Sequence, residues 1–191
     1  MSSAVVSPNR LVLADLLPGT VARDVSLVVG GAGLTGLAAQ VSIHTPFSPV
    51  PFTLQTLAVL VVGAALGSVR GAVSMLLYLA AGVIGVPWFA GHSHGWGGPS
   101  FGYLLGFVAA AGLVGALARH GADRHVVSTI LVMVAGSLVV YAVGTVWLAS
   151  DLHIGVAEAI KIGVRPFLAT DAIKIGVAAL GLPAAWAFAR R

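Results

Sequence analysis

The chain has 191 residues, of which 58% are hydrophobic and 8% charged, and its mean hydropathy is +1.01. Soluble domains carry about 25% charged residues, so composition excludes a soluble globular fold and predicts a polytopic membrane protein in one compact domain. With no cysteine there is no disulfide framework, thiolate metal centre or cysteine nucleophile, and the net charge of +4 is spread between apolar segments, which fits membrane topology rather than nucleic-acid binding.

Residues 1–24 read as a cytoplasmic N-terminal arm. Its apolar stretch 11–17 is interrupted by Asp15 and closed by Pro18, as in a short amphipathic arm or surface helix. No cleavable signal peptide is evident. A spanning helix needs about 20 mostly apolar residues. Six segments qualify or come near: 25–43, 53–69, 71–87, 100–118, 126–149 and 170–189. The fold class expected is all-α, with six transmembrane helices in one bundle over 25–189. Segments two and three should form a tight helical hairpin that turns at 67–71.

Basic residues orient the bundle. Arg10, Arg23, Arg70, Arg119, Arg124, Arg190 and Arg191 fall on one side, and Lys161 and Arg165 on the other. The excess of basic residues marks the cytoplasmic side, so both termini are expected inside. Trp88, Trp96 and Trp147 then sit at the outer boundary and Trp186 at the inner one. The outer connections are the irregular ones. Residues 44–52 carry Pro46, Pro49 and Pro51, which disfavour helix. Residues 88–99 are glycine-rich and aromatic, and 150–169 are long and amphipathic. Together they resemble a lid over a cavity that opens outward.

Gly31-Ala32-Gly33-Leu34-Thr35-Gly36 matches a dinucleotide-loop pattern, but no acidic residue follows about 20 positions on and no βαβ unit surrounds it. In a spanning helix, small residues allow close helix approach. Ala32-xxx-Gly36 serves either packing within the chain or docking to a membrane partner. His92 and His94 have no accompanying carboxylate, so no metal site is expected. No catalytic triad, carboxylate pair or phosphate-cradling sequence emerges either.

Glu158-Ala159-Ile160-Lys161-Ile162-Gly163-Val164 is echoed thirteen residues later by Asp171-Ala172-Ile173-Lys174-Ile175-Gly176-Val177. The first copy reads as a solvated ion pair. The second lies deeper, at the head of the last apolar segment, where ionisable groups are costly. Spacing of three places Asp171 and Lys174 on one helix face. An ion pair at a helix terminus capped by Thr170 accounts for Asp171 but not for Lys174, since lysine gains nothing at the positive end of a helix. One group accepts hydrogen bonds and the other donates, which suits a small polar ligand.

Four motifs in order carry a family resemblance. Pro49-Val50-Pro51-Phe52-Thr53-Leu54-Gln55-Thr56-Leu57 resembles the first-loop signature of BioY, the biotin-specific substrate-binding component of energy-coupling factor transporters. The stretch from Tyr78 to Gly91 is similar to its next signature. Gly102-Tyr103-Leu104-Leu105-Gly106-Phe107 follows, and Pro166-Phe167-Leu168 leads into Asp171 and Lys174. The likeness spans about 25–189. Two departures are Ala169-Thr170 in place of Pro-Gly before the acid, and Phe101 where a glycine is usual.

The resemblance implies a six-helix membrane bundle that binds biotin from outside with high affinity. A transmembrane subunit and two ATPase subunits power uptake, so ATP is used by partners, and no cofactor or enzymatic activity belongs to this chain. Asp171 and Lys174 match the acid and lysine associated with the ligand. Phe52, Tyr103, Trp88 and Phe89 are expected as apolar walls. Thr53, Gln55 and Arg165 are expected as polar contacts. Ala32 and Gly36 are the nearest match to the partner-docking face. Further readings are a carrier of another solute, proton-coupled through Asp171, and a membrane enzyme or assembly factor. The sequence admits a homo-oligomer.

Overall fold

The computed structural model describes residues 11–189. Arg10, Arg190, Arg191 and the first ten residues of the N-terminal arm lie outside the described residues. The described chain is mostly helical: α1 (Val21–Gln40), α2 (Gln55–Leu66), α3 (Ser68–Val83), α4 (Phe101–Ala118), α5 (Val126–Asp151), α6 (Val156–Gly163) and α7 (Leu168–Ala189). It also has one two-stranded sheet, β1 (Ser42–Thr45) and β2 (Ser48–Thr53).

The chain is mostly helical, as expected, and the strands add a short ribbon that an all-α reading leaves out. β1 and β2 pair antiparallel, with Ser42 opposite Thr53 and Ile43 opposite Phe52. The prolines that forbid helix here do not forbid this ribbon, because an edge strand tolerates a missing N–H.

Four stretches are long and apolar enough to cross a membrane: α1, α4, α5 and the run Val156–Ala189. α2 and α3 have 12 and 16 residues, rising about 18 and 24 Å against a hydrocarbon core of about 30 Å. The hairpin between them is tighter than the sequence suggests. Gly67 alone joins the two helices, at φ +85°, a conformation glycine adopts without steric cost.

α4 packs against α2, α3 and α5 at the centre of the fold. A seam of small residues lets three of these helices approach closely. A side chain on Gly63 would meet the Ala111 backbone at 2.7 Å, and one on Gly115 would meet the Gly67 backbone at 2.3 Å.

α1 begins at Val21, with the Thr20 hydroxyl accepting from the Arg23 backbone N–H at 3.1 Å. Satisfying one of the free N–H groups in this way fixes the helix start. The arm before it, with a 3₁₀ turn at Leu13–Leu16, lies across one end of the bundle. Arg70 bonds to Asp15 and Asp24, Arg23 donates to the Leu17 carbonyl at 2.7 Å, and Arg124 donates to the Leu11 carbonyl at 3.2 Å. Val12 of this arm is fully buried.

Candidate ligand-binding cavity

At the other end of the bundle lies a cavity of about 360 Å³, within the size range of small-molecule sites. The β-ribbon, the 84–100 connection, the first turns of α2, α4 and α7, the middle of α5 and Phe167 wall it. Asp171 and Lys174 lie in its lining, and both side chains are largely buried.

The polar group in the lining comes from three helices. Lys174 Nζ donates to Asp171 Oδ1 at 2.7 Å and to Thr56 Oγ1 on α2 at 2.8 Å. Tyr141 on α5 donates to Asp171 Oδ2. An ammonium has three donors, so one remains for a ligand after Asp171 and Thr56 are served. The carboxylate likewise keeps lone pairs after accepting from Lys174 and Tyr141. Burial of such a pair is tolerated because each charge has a partner and further hydrogen bonds.

The Glu158–Lys161 copy behaves differently. Its nitrogen lies 3.3 Å from the carboxylate oxygen, and the side chains are 50% and 61% exposed. This is a solvated pair, worth little to stability. Thr170 does not cap α7. The helix starts two residues earlier, at Leu168, and the Thr170 hydroxyl donates back to the Phe167 carbonyl at 2.9 Å.

Among the other residues singled out from sequence, Tyr103, Thr53, Gln55 and Phe89 line the cavity. Tyr103 fills the gaps left by Gly144 and Gly163 and donates to the Gly163 carbonyl at 2.9 Å, which ties α4 to α6. Gln55 is buried and donates to the Tyr78 hydroxyl at 2.7 Å.

Phe52, Trp88 and Arg165 are not in the lining. Phe52 stacks at 4.4 Å behind Phe167, which is. The Trp88 indole turns towards α1 and α3, donating to the Tyr78 carbonyl at 2.9 Å and lying over Gly36. Arg165 is exposed. Ala32 and Gly36 are buried, and the small-residue face of α1 packs inside the chain: a side chain on Gly31 would strike Ser74 at 2.7 Å, and one on Gly36 would meet Trp88 at 3.0 Å. Among the described residues, no group of three or more His, Asp or Glu side chains could hold a metal ion.

The BioY family model matches residues 7–191. The chain belongs to the BioY family. A relative named "Probable biotin transporter BioY" from Pyrococcus horikoshii is 38% identical over 162 residues, covering 83% of this chain and 93% of the relative. The Biotin transporter BioY of Thermotoga maritima is 36% identical over 141 residues, covering 72% of this chain and 82% of its own. A crystal structure of the S-component for biotin from an ECF-type ABC transporter superposes with a TM-score of 0.77 at 24% identity, covering 87% of this chain and 94% of that one. At that identity the likeness is one of fold.

Within this BioY chain, sequence reasoning missed two members of the polar group, Thr56 and Tyr141. Thr56 stands beside Gln55 in the first-loop signature, which points to its neighbourhood but not to its side chain. Tyr141 had a signal of its own. Ser137, Tyr141 and Thr145 recur at intervals of four in the apolar middle of the helix, which places three hydroxyls on one face. The aromatic walls from Phe101, Phe107 and Phe167 were missed too.

Proposed function

We propose that this chain binds biotin from outside the cell membrane and delivers it for uptake as the substrate-binding component of an energy-coupling factor transporter. The observation that carries this reading is the buried Asp171–Lys174 pair in the lining of an aromatic-walled cavity, in a chain whose family members are named biotin transporters. The ureido ring of biotin offers two N–H donors and one carbonyl acceptor. Asp171 accepts a donor, and the remaining proton of Lys174 meets an acceptor, as charge-assisted hydrogen bonds. Phe89, Phe101, Tyr103, Phe107 and Phe167 enclose the thioether ring and aliphatic tail.

The chain crosses the membrane six times in this reading, with α2 and α3 as short spans and both termini cytoplasmic. Arginine placement supports that orientation. Arg23, Arg70 and Arg124 gather around the arm, and Arg119 lies beside Gly67, all away from the cavity. Trp96 and Trp147 stand at the cavity end, with the Trp147 indole donating to the Gly98 carbonyl at 3.0 Å. The chain performs no chemical step on its ligand. A transmembrane partner and a pair of ATPase subunits supply the energy, consistent with the lack of a phosphate-cradling sequence here.

Equilibrium binding of labelled biotin to the purified chain tests the reading. Saturable binding at or below micromolar biotin is expected. Its absence sinks the proposal, and ligand-dependent proton uptake would favour a proton-coupled carrier instead.

A further inference from the structure

Five glycines of the 84–100 connection have positive φ: Gly85, Gly91, Gly95, Gly97 and Gly98. Glycine loses the most backbone freedom on ordering. A segment of this composition stays in one conformation when specific bonds hold it. Yet Phe89, Ala90, Gly91 and Ser93 in it form a wall of the cavity.

Several bonds hold the connection, among them the Gly95 N–H to the Gly82 carbonyl at 2.8 Å and the Phe89 N–H to the Ser93 carbonyl at 3.0 Å; those that tie it to α1 converge on Gln40, the last residue of that helix. Its Nε2 lies 2.9 Å from the Gly36 carbonyl of its own helix, 3.0 Å from the Trp88 carbonyl and 3.4 Å from the Phe89 carbonyl. Its Oε1 accepts from the His92 backbone N–H at 3.3 Å. His92 and Gly91 sit side by side in the left-handed region, at φ 59° and 66°. That is an uncommon conformation for a residue other than glycine, and the bond that His92 donates to Gln40 holds it. The Trp88 carbonyl also accepts from the Tyr78 hydroxyl at 3.2 Å, and that hydroxyl accepts from Gln55 at 2.7 Å. A continuous chain of hydrogen bonds therefore runs from the cavity wall at Gln55, through Tyr78 and Trp88, to Gln40.

We propose that Gln40 is a positioning residue that latches the 84–100 connection over the bound ligand and so sets how long the ligand stays. An amide suits this role because it donates and accepts at once. Glutamate keeps the bond from His92 but cannot donate to Trp88 or Phe89. Methionine keeps the shape and loses every bond. The role rests on the biotin-binding reading above, since the latch acts on that cavity.

The test uses the purified full-length chain with Gln40→Met and Gln40→Glu. Two readouts are taken: biotin association and dissociation rates, and amide hydrogen exchange without ligand. Each substitution is expected to speed dissociation about tenfold, the scale of one or two hydrogen bonds, while association changes less than twofold. Exchange at the His92 amide should rise in Gln40→Met, which loses the acceptor, and stay near the parent value in Gln40→Glu, which keeps it, with α4 and α5 unchanged in both. Unaltered dissociation in both variants, unaltered exchange at His92 in Gln40→Met, or an equal rise of exchange in α4 and α5 would each overturn the proposal. If the wild-type chain takes up no biotin, the functional reading fails, and exchange at His92 still decides whether Gln40 holds the connection.

Discussion

Tyr141 and Lys174 bond to opposite oxygens of the Asp171 carboxylate, Tyr141 from α5 and Lys174 from one turn further along α7. The two donors fix the carboxylate plane, and with it the direction of the lone pairs left for a ligand. Tyr141→Phe keeps the ring and removes the donor. Hydrogen bonds to charged groups are worth about 1.5–3 kcal/mol, so biotin affinity is expected to fall about tenfold. Titration calorimetry on the purified variant measures this. A lower melting temperature with unchanged affinity would assign Tyr141 to packing alone.

Asp171→Asn and Lys174→Ala are each expected to weaken biotin binding more than tenfold, because each leaves a buried polar partner unmatched. The double variant should lose less than the sum of the two, since the residues act as one unit. A full double-mutant cycle by equilibrium binding checks both points. Strict additivity would show that the two contact the ligand independently.

Arg165→Ala should leave affinity within twofold of the parent, because this exposed arginine stands outside the cavity lining. Phe167→Ala, two positions on, should reduce affinity at least tenfold by removing a wall of the cavity and the stacking partner of Phe52. The pair separates the contact expected from sequence, Arg165, from the wall found in the structure, Phe167, by one binding experiment each.

Asp123 lies in the connection between α4 and α5 and is fully buried. Burial raises its pKa above the ordinary value, and the hydrogen bond donated by Trp186 Nε1, at 2.7 Å, partly opposes this. A carboxyl whose folded pKa is raised contributes stability that is fully present below the unfolded pKa and is lost as pH rises through the folded pKa. Asp123→Asn should therefore raise the melting temperature at neutral pH. Its advantage should shrink as pH falls through the raised pKa towards 3.8, the value for an unperturbed aspartate. Thermal melts across that range test the slope.

The absence of cysteine from the sequence makes topology directly measurable. Ser93→Cys should react with a membrane-impermeant maleimide on intact cells, and His120→Cys only after permeabilisation. The reverse pattern would invert the orientation.

Much of the bundle was legible from hydropathy alone. Segments expected at 100–118 and 126–149 fold as Phe101–Ala118 and Val126–Asp151. The ribbon was not legible. Its strands are four and six residues long, too short for an alternating pattern, and proline signals only what they are not. Depth marked Asp171 and Lys174, because an acid and a lysine stand out in an apolar segment. Thr56 and Tyr141 could not be assigned to them, since they lie 115 and 30 residues from Asp171 in the chain and meet it only through helix packing. The small-residue face of α1 shows the opposite problem. Its pattern is plain, but packing and docking leave the same trace in sequence, and here α2, α3 and Trp88 cover it.

The repeated acid-x-x-lysine pattern has a practical corollary. The sequence contains two lysines, Lys161 and Lys174, and their side chains are 61% and 12% exposed. An amine-selective acylating reagent therefore meets one open lysine and one lysine sheltered beside the cavity on the same polypeptide. Peptide mass spectrometry of the two sites yields a ratio in which Lys161 normalises reagent dose and Lys174 reports occupancy. The duplication thus equips the molecule with its own internal standard for reading whether the cavity is filled.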